Sequence, residues 1–250
     1  MTNSTATAQP STPQGLTLAH LAPLPRTRSF ILGATGSGKS TLVDDLVEEY
    51  HRLHPTHLLW IIDPKPELFP ERKKEYGRRV FPLGTLPVIR KGREGIVCNG
   101  RLINEPDGFK WRDETVFVIQ SVSKALAFLR YRLAHPDVVH PCLVVFLESM
   151  HFIGHARADV EVRQVLQLGR QLGMGAMLIH QTPTWVDGTF MSESDRLYVG
   201  HLRKLDHRKR VVESVALQDA RRFMDAVPPR FWWMIDQATG RAYYFSLNKE

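Results

Sequence analysis

The segment GATGSGKST, Gly33–Thr41, decides the fold, because it fits the pattern G-x-x-x-x-G-K-[ST] of a phosphate-binding loop. It follows an apolar segment predicted as a strand, Ser29–Leu32, and precedes a helix predicted over Lys39–Leu53, which Pro55 stops. Its glycines let backbone N–H groups point at phosphate oxygens, and the start of the helix adds partial positive charge. The predicted nucleotide site consists of nine residues: Gly33, Ala34, Thr35, Gly36, Ser37, Gly38, Lys39, Ser40 and Thr41.

Two side chains of this loop carry its chemistry. Lys39 is expected to reach the β- and γ-phosphates of ATP, and the Ser40 hydroxyl is expected to coordinate Mg²⁺. A turn rich in glycine and serine can fit the pattern by chance, but the strand before it and the helix after it match the required context. ATP and Mg²⁺ are therefore the expected ligands.

Four further buried strands are predicted, at His57–Ile62, Val116–Gln120, Cys142–Leu147 and Ala176–Gln181. Helical patterns lie between them, one reaching about Leu133 and one running from about Asp159 to Leu172. Near-continuous apolar strands joined by helices indicate a parallel sheet covered on both faces. The expected fold is α/β: a three-layer P-loop NTPase with a mostly parallel central sheet of the RecA-like (ASCE) type and a C-terminal β-hairpin. The hairpin is predicted over Arg230–Leu247, with its turn at 238–240, and no element is predicted within 66–114.

The 250 residues accommodate one α/β core, with 43% hydrophobic residues. Residues 1–25 are expected to form a flexible tail and residues 26–250 a single ATPase domain. Lysine and arginine number 33 against 26 acidic residues, a net charge of +7, which makes a polyanionic partner plausible. No apolar run is long enough for a membrane span, and the two cysteines have no metal-ligand spacing, which favours a reduced intracellular protein.

Glu148 is the candidate catalytic acid, because it follows the apolar run of the strand that begins at Cys142. ATP-hydrolysing P-loop proteins usually carry acidic residues at the end of a second buried strand. One holds Mg²⁺ through water and another polarises the attacking water. The alternative is a solvated carboxylate at a strand end.

The segments ILGATGSGKST, LLWIIDPKPELF, LVVFLESMHF and GRQLGMGAMLIHQTP follow one another in this order. Together they resemble the FtsK/HerA superfamily of ring-forming DNA-translocating ATPases, over about Ser29–Val199. The resemblance implies that Gln181 is a sensor for the γ-phosphate or the attacking water. It also implies that Arg170, eleven residues earlier, is an arginine finger that reaches the nucleotide of a neighbouring subunit. Arg163, on the same predicted helix, is the reserve candidate, and a surface role is the alternative for each residue.

The chain departs from the family pattern in having one acidic residue where the family normally has two. If Glu148 matches the second, Leu147 stands in the Mg²⁺-associated place. If it matches the first, Ser149 stands in the water-activating place and His151 matches a frequent downstream histidine. The predicted catalytic set is Glu148, Gln181 and Arg170, and the predicted metal ligands are Ser40 and Glu148.

The compact length is similar to that of genome-packaging ATPases of membrane-containing icosahedral double-stranded DNA viruses. This resemblance implies double-stranded DNA as a partner, a homo-oligomeric ring (hexamer or pentamer), a viral capsid vertex as a docking site, and a place in the host cytoplasm or the virion. Two basic clusters, at 71–93 and 201–210, are candidate DNA-phosphate contacts or solvated basic faces. Asp63 and Lys65 end the second strand as a structural cap or as part of the site.

Two other functions remain open at this point. A small-molecule P-loop kinase would need a lid, for which the basic segment 71–93 is a candidate. A nucleotide-gated assembly protein would bind ATP with little hydrolysis, as the missing carboxylate suggests.

Overall fold

The computed structural model describes residues 16–63, 79–80, 89–91, 96–98, 101–102, 116–119, 122–134, 141–153, 159–215, 225 and 227–246. The strands are β1 Arg28–Leu32, β2 Leu58–Ile62, β3 Arg79–Val80, β4 Ile89–Lys91, β5 Ile96–Cys98, β6 Arg101–Leu102, β7 Val116–Ile119, β8 Cys142–Phe146, β9 Met174–His180, β10 Arg196–Val199, β11 Phe231–Asp236 and β12 Arg241–Ser246. The α-helices are α1 Leu18–Leu21, α2 Lys39–Leu53, α3 Val122–Ala134, α4 Val160–Leu168, α5 Gly188–Ser192 and α6 Leu205–Ser214. Two 3₁₀ turns lie at Ser149–His151 and Pro183–Trp185.

The main sheet has nine strands in the order β12-β11-β10-β1-β9-β8-β2-β7-β3. The seven strands from β10 to β3 are parallel, and β11 and β12 continue the sheet in antiparallel pairing. Strand β9 lies between β1 and β8, which is the order expected for the ASCE type. A separate antiparallel sheet contains β4, β5 and β6.

Apolar side chains cover both faces of the main sheet, so the fold has three layers. On one face α2 packs through residues such as Leu42 and Leu46 against Ile31 of β1. On the other face, α3 and α4 pack through residues such as Phe128 and Val165. Strands β2, β8 and β9 are buried along their whole length, as their apolar runs predicted. The predicted fold class is confirmed.

Helix α4 ends earlier than predicted, at Leu168 rather than Leu172. A Cβ on Gly169 would lie 2.2 Å from the carbonyl oxygen of Val165, and Gly173 has a φ of +74°. The chain therefore turns over 169–173 before entering β9, and Arg170 lies in this turn rather than on the helix, which corrects the prediction.

The N-terminal part of the chain packs against the sheet before residue 25. Leu21 and Ala22 are buried. The Tyr198 hydroxyl donates to the carbonyl oxygen of Leu21, and the Arg196 guanidinium donates to that of Ala22. The prediction placed residues 1–25 in a flexible tail, but the part of it that the structure describes, residues 16–25, packs against the sheet. Residues 1–15 lie outside the described residues.

The C-terminal hairpin is confirmed. Strands β11 and β12 pair in antiparallel register from Phe231↔Ser246 to Asp236↔Arg241. Strand β10 and helix α6 were not predicted, and most of 66–114 lies outside the described residues. Among the residues that the structure describes, no helix is long and apolar enough to cross a membrane.

Candidate nucleotide-binding site

The predicted phosphate loop connects β1 to α2 at the carboxyl edge of the sheet. Gly36 and Gly38 have φ values of +81° and +90°, a region that glycine enters without strain, and Gly38 is the residue before the helix. The Ala34 N–H donates to the carbonyl oxygen of His201 over 2.8 Å, which fixes the loop to the segment after β10. The loop therefore turns at two glycines, of which Gly38 is required by the pattern and Gly36 occupies one of its variable positions.

Close packing beneath the loop explains its first glycine. A Cβ on Gly33 would lie 2.6 Å from Ser37 Oγ and 3.2 Å from the ring of Trp232 on the hairpin. A Cβ on Gly200, after β10, would lie 2.7 Å from the same ring. Trp232 is fully buried, so the hairpin supports the loop from below.

The Lys39 ammonium lies inside the curve of the loop. Its Nζ donates to the carbonyl oxygens of Gly33 over 2.7 Å and Ala34 over 2.9 Å. Burial lowers the pKa of Lys39 to about 8, and the nearby carboxylate of Glu148 opposes this shift. A desolvated ammonium held among carbonyl oxygens is suited to binding a further anion, such as phosphate.

Glu148 follows β8 and is half-buried at the same edge of the sheet. Its charge acts on both Lys39 and His180, which places it on the side of the phosphate loop. Its neighbours are used elsewhere: Leu147 packs in the apolar cluster around α2, and the buried Ser149 hydroxyl donates to the carbonyl oxygen of Ile179 over 2.9 Å. Of these three consecutive residues, only Glu148 offers a carboxylate to the loop.

Gln181 comes directly after β9 and contacts the phosphate loop. The Thr35 hydroxyl donates to Gln181 Oε1 over 3.1 Å. The preceding residue, His180, is buried, and its Nδ1 accepts a hydrogen bond from the Thr182 N–H over 3.0 Å. Burial lowers the pKa of His180 to about 4, so the ring is neutral and fixes the backbone on either side of Gln181.

Arg170 lies at the opposite edge of the sheet from these groups. It precedes β9, and its guanidinium forms an ion pair with Asp195, the residue before β10. The strands are parallel, so Asp195 is separated from the loop edge by the length of β10, about 13 Å along the strand. Arg163 is exposed on α4. The pKa of Asp187, in the segment after β9, is lowered chiefly by hydrogen bonds from Thr189, and the charges of Arg210 and Arg163 contribute less. The structure thus brings Lys39, Glu148 and Gln181 together and keeps Arg170 apart.

Asp63 directly follows β2 and is fully buried. Its backbone N–H donates to the carbonyl oxygen of Ile119 over 2.9 Å, so the end of β2 is tied to β7. Lys65 lies outside the described residues. No group of three or more His, Cys, Asp or Glu side chains suited to a metal ion occurs in the described part of the chain.

The second basic cluster divides into two parts. Arg208 and Arg210 support the fold, since they donate to the carbonyl oxygens of Leu202 and Val186. Arg203 and Lys204 are exposed and line a cavity of about 360 Å³ beside the phosphate loop. Sequence reasoning identified these two cations but not their place next to the loop, because the contact spans the long separation between β1 and α6. The side chains of the first cluster, 71–93, lie outside the described residues.

Solved structures with this architecture include the genome-packaging NTPase B204 of Sulfolobus turreted icosahedral virus 2 in complex with ATP-γS, with a TM-score of 0.62 and 11% identity over 88% of this chain and 96% of that one. The fold is that of a P-loop ATPase. The DNA-packaging ATPase B204 of Sulfolobus turreted icosahedral virus has a TM-score of 0.63 and 14% identity over 90% of this chain and 99% of that one. The pCW3 conjugation coupling protein TcpA has a TM-score of 0.55 and 12% identity over 88% of this chain and 60% of that one. No protein-family model and no curated protein sequence matches the chain. The resemblance predicted from the motifs is confirmed at the level of the fold.

Proposed function

We propose that this chain is an ATPase of the FtsK/HerA superfamily that moves double-stranded DNA, as a homo-oligomeric ring that packages a viral genome. The observation that carries the proposal is the convergence of a complete phosphate loop, Glu148 and Gln181 at one edge of the sheet. A phosphate cradle, a carboxylate and a residue that orients the attacking water are recurring parts of P-loop NTPase sites. The likeness to viral packaging ATPases over nearly their whole length supports the more specific role.

The phosphate loop would bind ATP through its backbone N–H groups and Lys39. Ser40, exposed at the start of α2, and Glu148 would hold Mg²⁺. The few protein donors fit this ion, which usually keeps several waters and shares its coordination with substrate phosphates. When bound, Mg²⁺ neutralises charge on the phosphate oxygens.

Glu148 would take a proton from the attacking water, and Gln181 would orient that water against the γ-phosphate. The contact between Thr35 and Gln181 keeps the amide beside the loop. His180 supports this placement because its ring accepts the hydrogen bond from the Thr182 N–H.

Arg170 would complete the site of a neighbouring subunit. It lies at the edge of the sheet opposite its own phosphate loop, so it has no route to its own nucleotide. A ring in which the two edges of adjacent subunits meet would bring Arg170 to the neighbouring γ-phosphate.

The net charge of +7 favours a polyanionic partner, and DNA contacts would fall on the two basic clusters. Binding through phosphates alone would suit an enzyme that moves along duplex of any sequence. The ring would act in the host cytoplasm or on the virion, docked at a capsid vertex.

ATP turnover with and without duplex DNA tests this function. We expect DNA to stimulate turnover, and we expect Glu148→Gln to reduce turnover at least about a hundredfold while nucleotide binding persists. Glu213→Gln, an exposed change on α6, is the matched control and should leave turnover unchanged. ATP turnover that is the same with and without DNA, in every oligomeric state, would refute the proposed translocase function.

The second candidate function is a nucleotide-gated assembly protein that binds ATP but hydrolyses it slowly. It is favoured by one observation, that Leu147 and Ser149 beside Glu148 supply no second carboxylate. Ring formation that follows nucleotide binding, with assembly equal in the wild type and in Glu148→Gln, would support this candidate.

A further inference from the structure

A basic cavity of about 360 Å³ opens beside the phosphate loop. One wall is formed by Ala34 and Thr35 of the loop, and a second by the segment after β9, which includes Gln181 and Trp185. The third wall carries Arg203 and Lys204 from the segment that leads into α6. Residues that follow β1, β9 and β10 thus meet at the N-terminal half of the phosphate loop.

The position of this cavity corresponds to the terminal-phosphate end of the nucleotide site. Lys39, which reaches the β- and γ-phosphates in such loops, has its Nζ at the carbonyl oxygens of Gly33 and Ala34. Gln181, the residue proposed to orient water against the γ-phosphate, accepts a hydrogen bond from the Thr35 hydroxyl. Both markers of the terminal phosphate therefore lie at the end of the loop that the cavity borders.

The charge of the cavity favours an anion. Arg203 and Lys204 are both exposed, and no acidic residue is among the described residues that line it. Asp206, in the first turn of α6, is the nearest acidic residue in sequence and is exposed. Helix α6 begins directly after Lys204, so its N–H groups add partial positive charge on the same side.

We propose that Arg203 and Lys204 contact the terminal phosphate of the nucleotide bound in their own subunit, so that the cavity distinguishes a nucleoside triphosphate from a diphosphate. The proposal rests on the nucleotide site proposed above. It gives each subunit a cation pair that acts in cis, distinct from Arg170 at the far edge of the sheet. It also moves these two residues of the second basic cluster from the DNA contacts proposed above to nucleotide recognition, which leaves the first cluster, 71–93, and Lys209 as the proposed DNA contacts.

Calorimetric titration of the full-length protein with ADP and with a non-hydrolysable ATP analogue, each with Mg²⁺, tests the assignment. For Arg203→Ala we expect about tenfold weaker binding of the ATP analogue and less than about a twofold change for ADP, because one charge-assisted contact to the third phosphate is lost. Lys204→Ala should likewise weaken binding of the ATP analogue more than binding of ADP. Arg241→Ala removes an exposed cation of β12 that lies outside both basic clusters and does not line the cavity, and it should leave both affinities unchanged.

Trp185 gives a second measurement. Its ring lines the cavity and is 37% exposed, so its fluorescence should respond more to the ATP analogue than to ADP. Trp185→Phe should remove that response.

Duplex-DNA affinity, measured on the same variants over a series of salt concentrations, separates this role from DNA binding. Unchanged DNA affinity together with lost triphosphate preference supports the assignment. An equal loss for ADP and the ATP analogue, or normal nucleotide binding with weakened DNA binding, overturns it. If the wild type binds nucleotide and the variants bind it equally well, this inference alone is refuted. If the wild type binds no nucleotide, the proposed function is refuted as well.

Discussion

The two edges of the central sheet differ in what they hold. At the carboxyl edge, three separate segments place Lys39, Glu148 and Gln181 around one loop. At the amino edge, Arg170 is paired with Asp195, which also accepts a hydrogen bond from the Arg28 N–H over 2.7 Å. The first edge thus collects the groups proposed to bind phosphate, whereas the second edge holds its arginine in an ion pair. If Arg170 is the arginine finger proposed above, the comparison teaches that a chain can carry every proposed catalytic residue and still need a neighbouring subunit to complete each site.

Removing Lys39, the cation at the carboxyl edge, should have the largest effect on nucleotide binding and turnover. For Lys39→Ala we expect nucleotide affinity to fall about a hundredfold or more and turnover to be abolished, because the ammonium is the one side-chain cation inside the loop that the structure describes. Calorimetry with ADP and an ATP analogue measures the loss, with Lys209→Ala as the exposed control.

The same lysine predicts a pH dependence. Its pKa is lowered to about 8 in the protein, and bound phosphate favours the charged form, so affinity should fall as the pH rises through about 8. An affinity that stays constant from pH 7 to pH 9 would contradict the environment described for Lys39.

Removing the cation of the amino edge should affect turnover but not binding. For Arg170→Ala we expect turnover by the assembled protein to fall about a hundredfold or more, while nucleotide affinity stays within about twofold, because the arginine lies far from its own loop. The measurements are steady-state turnover and calorimetry on the same preparation.

Mixing the inactive Lys39→Ala and Arg170→Ala proteins sharpens this test. If Arg170 acts on a neighbour, some interfaces in mixed rings combine an intact loop with an intact arginine, and turnover should partly recover. Arg163→Ala tests the reserve candidate in the same assay: if Arg170 is the finger, the Arg163→Ala protein should keep its turnover without a partner variant. Absence of recovery in rings shown to be mixed would assign Arg170 to the surface of the fold.

The last prediction concerns His180, next to Gln181, and it affects the stability of the fold rather than turnover. His180 is neutral in the folded protein with a pKa of about 4, whereas an unfolded chain takes up a proton near pH 6.5. The unfolded state therefore binds more protons between these values, and the free energy of unfolding should fall as the pH drops from 6.5 to 4, by up to about 3 kcal/mol from this residue. Denaturant titrations of the wild type and of His180→Gln measure it, and the exposed His20→Gln should keep the wild-type dependence.

The sequence predicted the parts of the fold in which the local pattern and the packing agree. Helix α2 has the predicted bounds because its apolar side chains face one side and Gly38 precedes it. Helix α4 was extended too far because Leu172 continues the apolar period, whereas the chain leaves the helix after Leu168 and reverses at Gly173, whose φ is +74°. Strand β10 is only four residues long, and one of them is Arg196, whose burial depends on the carbonyl oxygen of Ala22.

The site shows the same division. The phosphate loop and Glu148 follow from spacing and from the apolar run before the acid. The contact between Thr35 and Gln181, and the cavity that joins Thr35 to Arg203, depend on strand order and could not be predicted from spacing. The distance of Arg170 from the loop could have been predicted, because a residue before a parallel strand lies at the edge opposite the residues that follow it.

Trp232 links sequence variation at three distant positions. Its ring fills the space that a side chain at Gly33 or Gly200 would need. A relative with alanine at the position of Gly200 should therefore carry a smaller residue at the position of Trp232, and either change alone should be rare. Such paired replacement would leave a covariation signal between the hairpin and the loop, detectable in sequences alone.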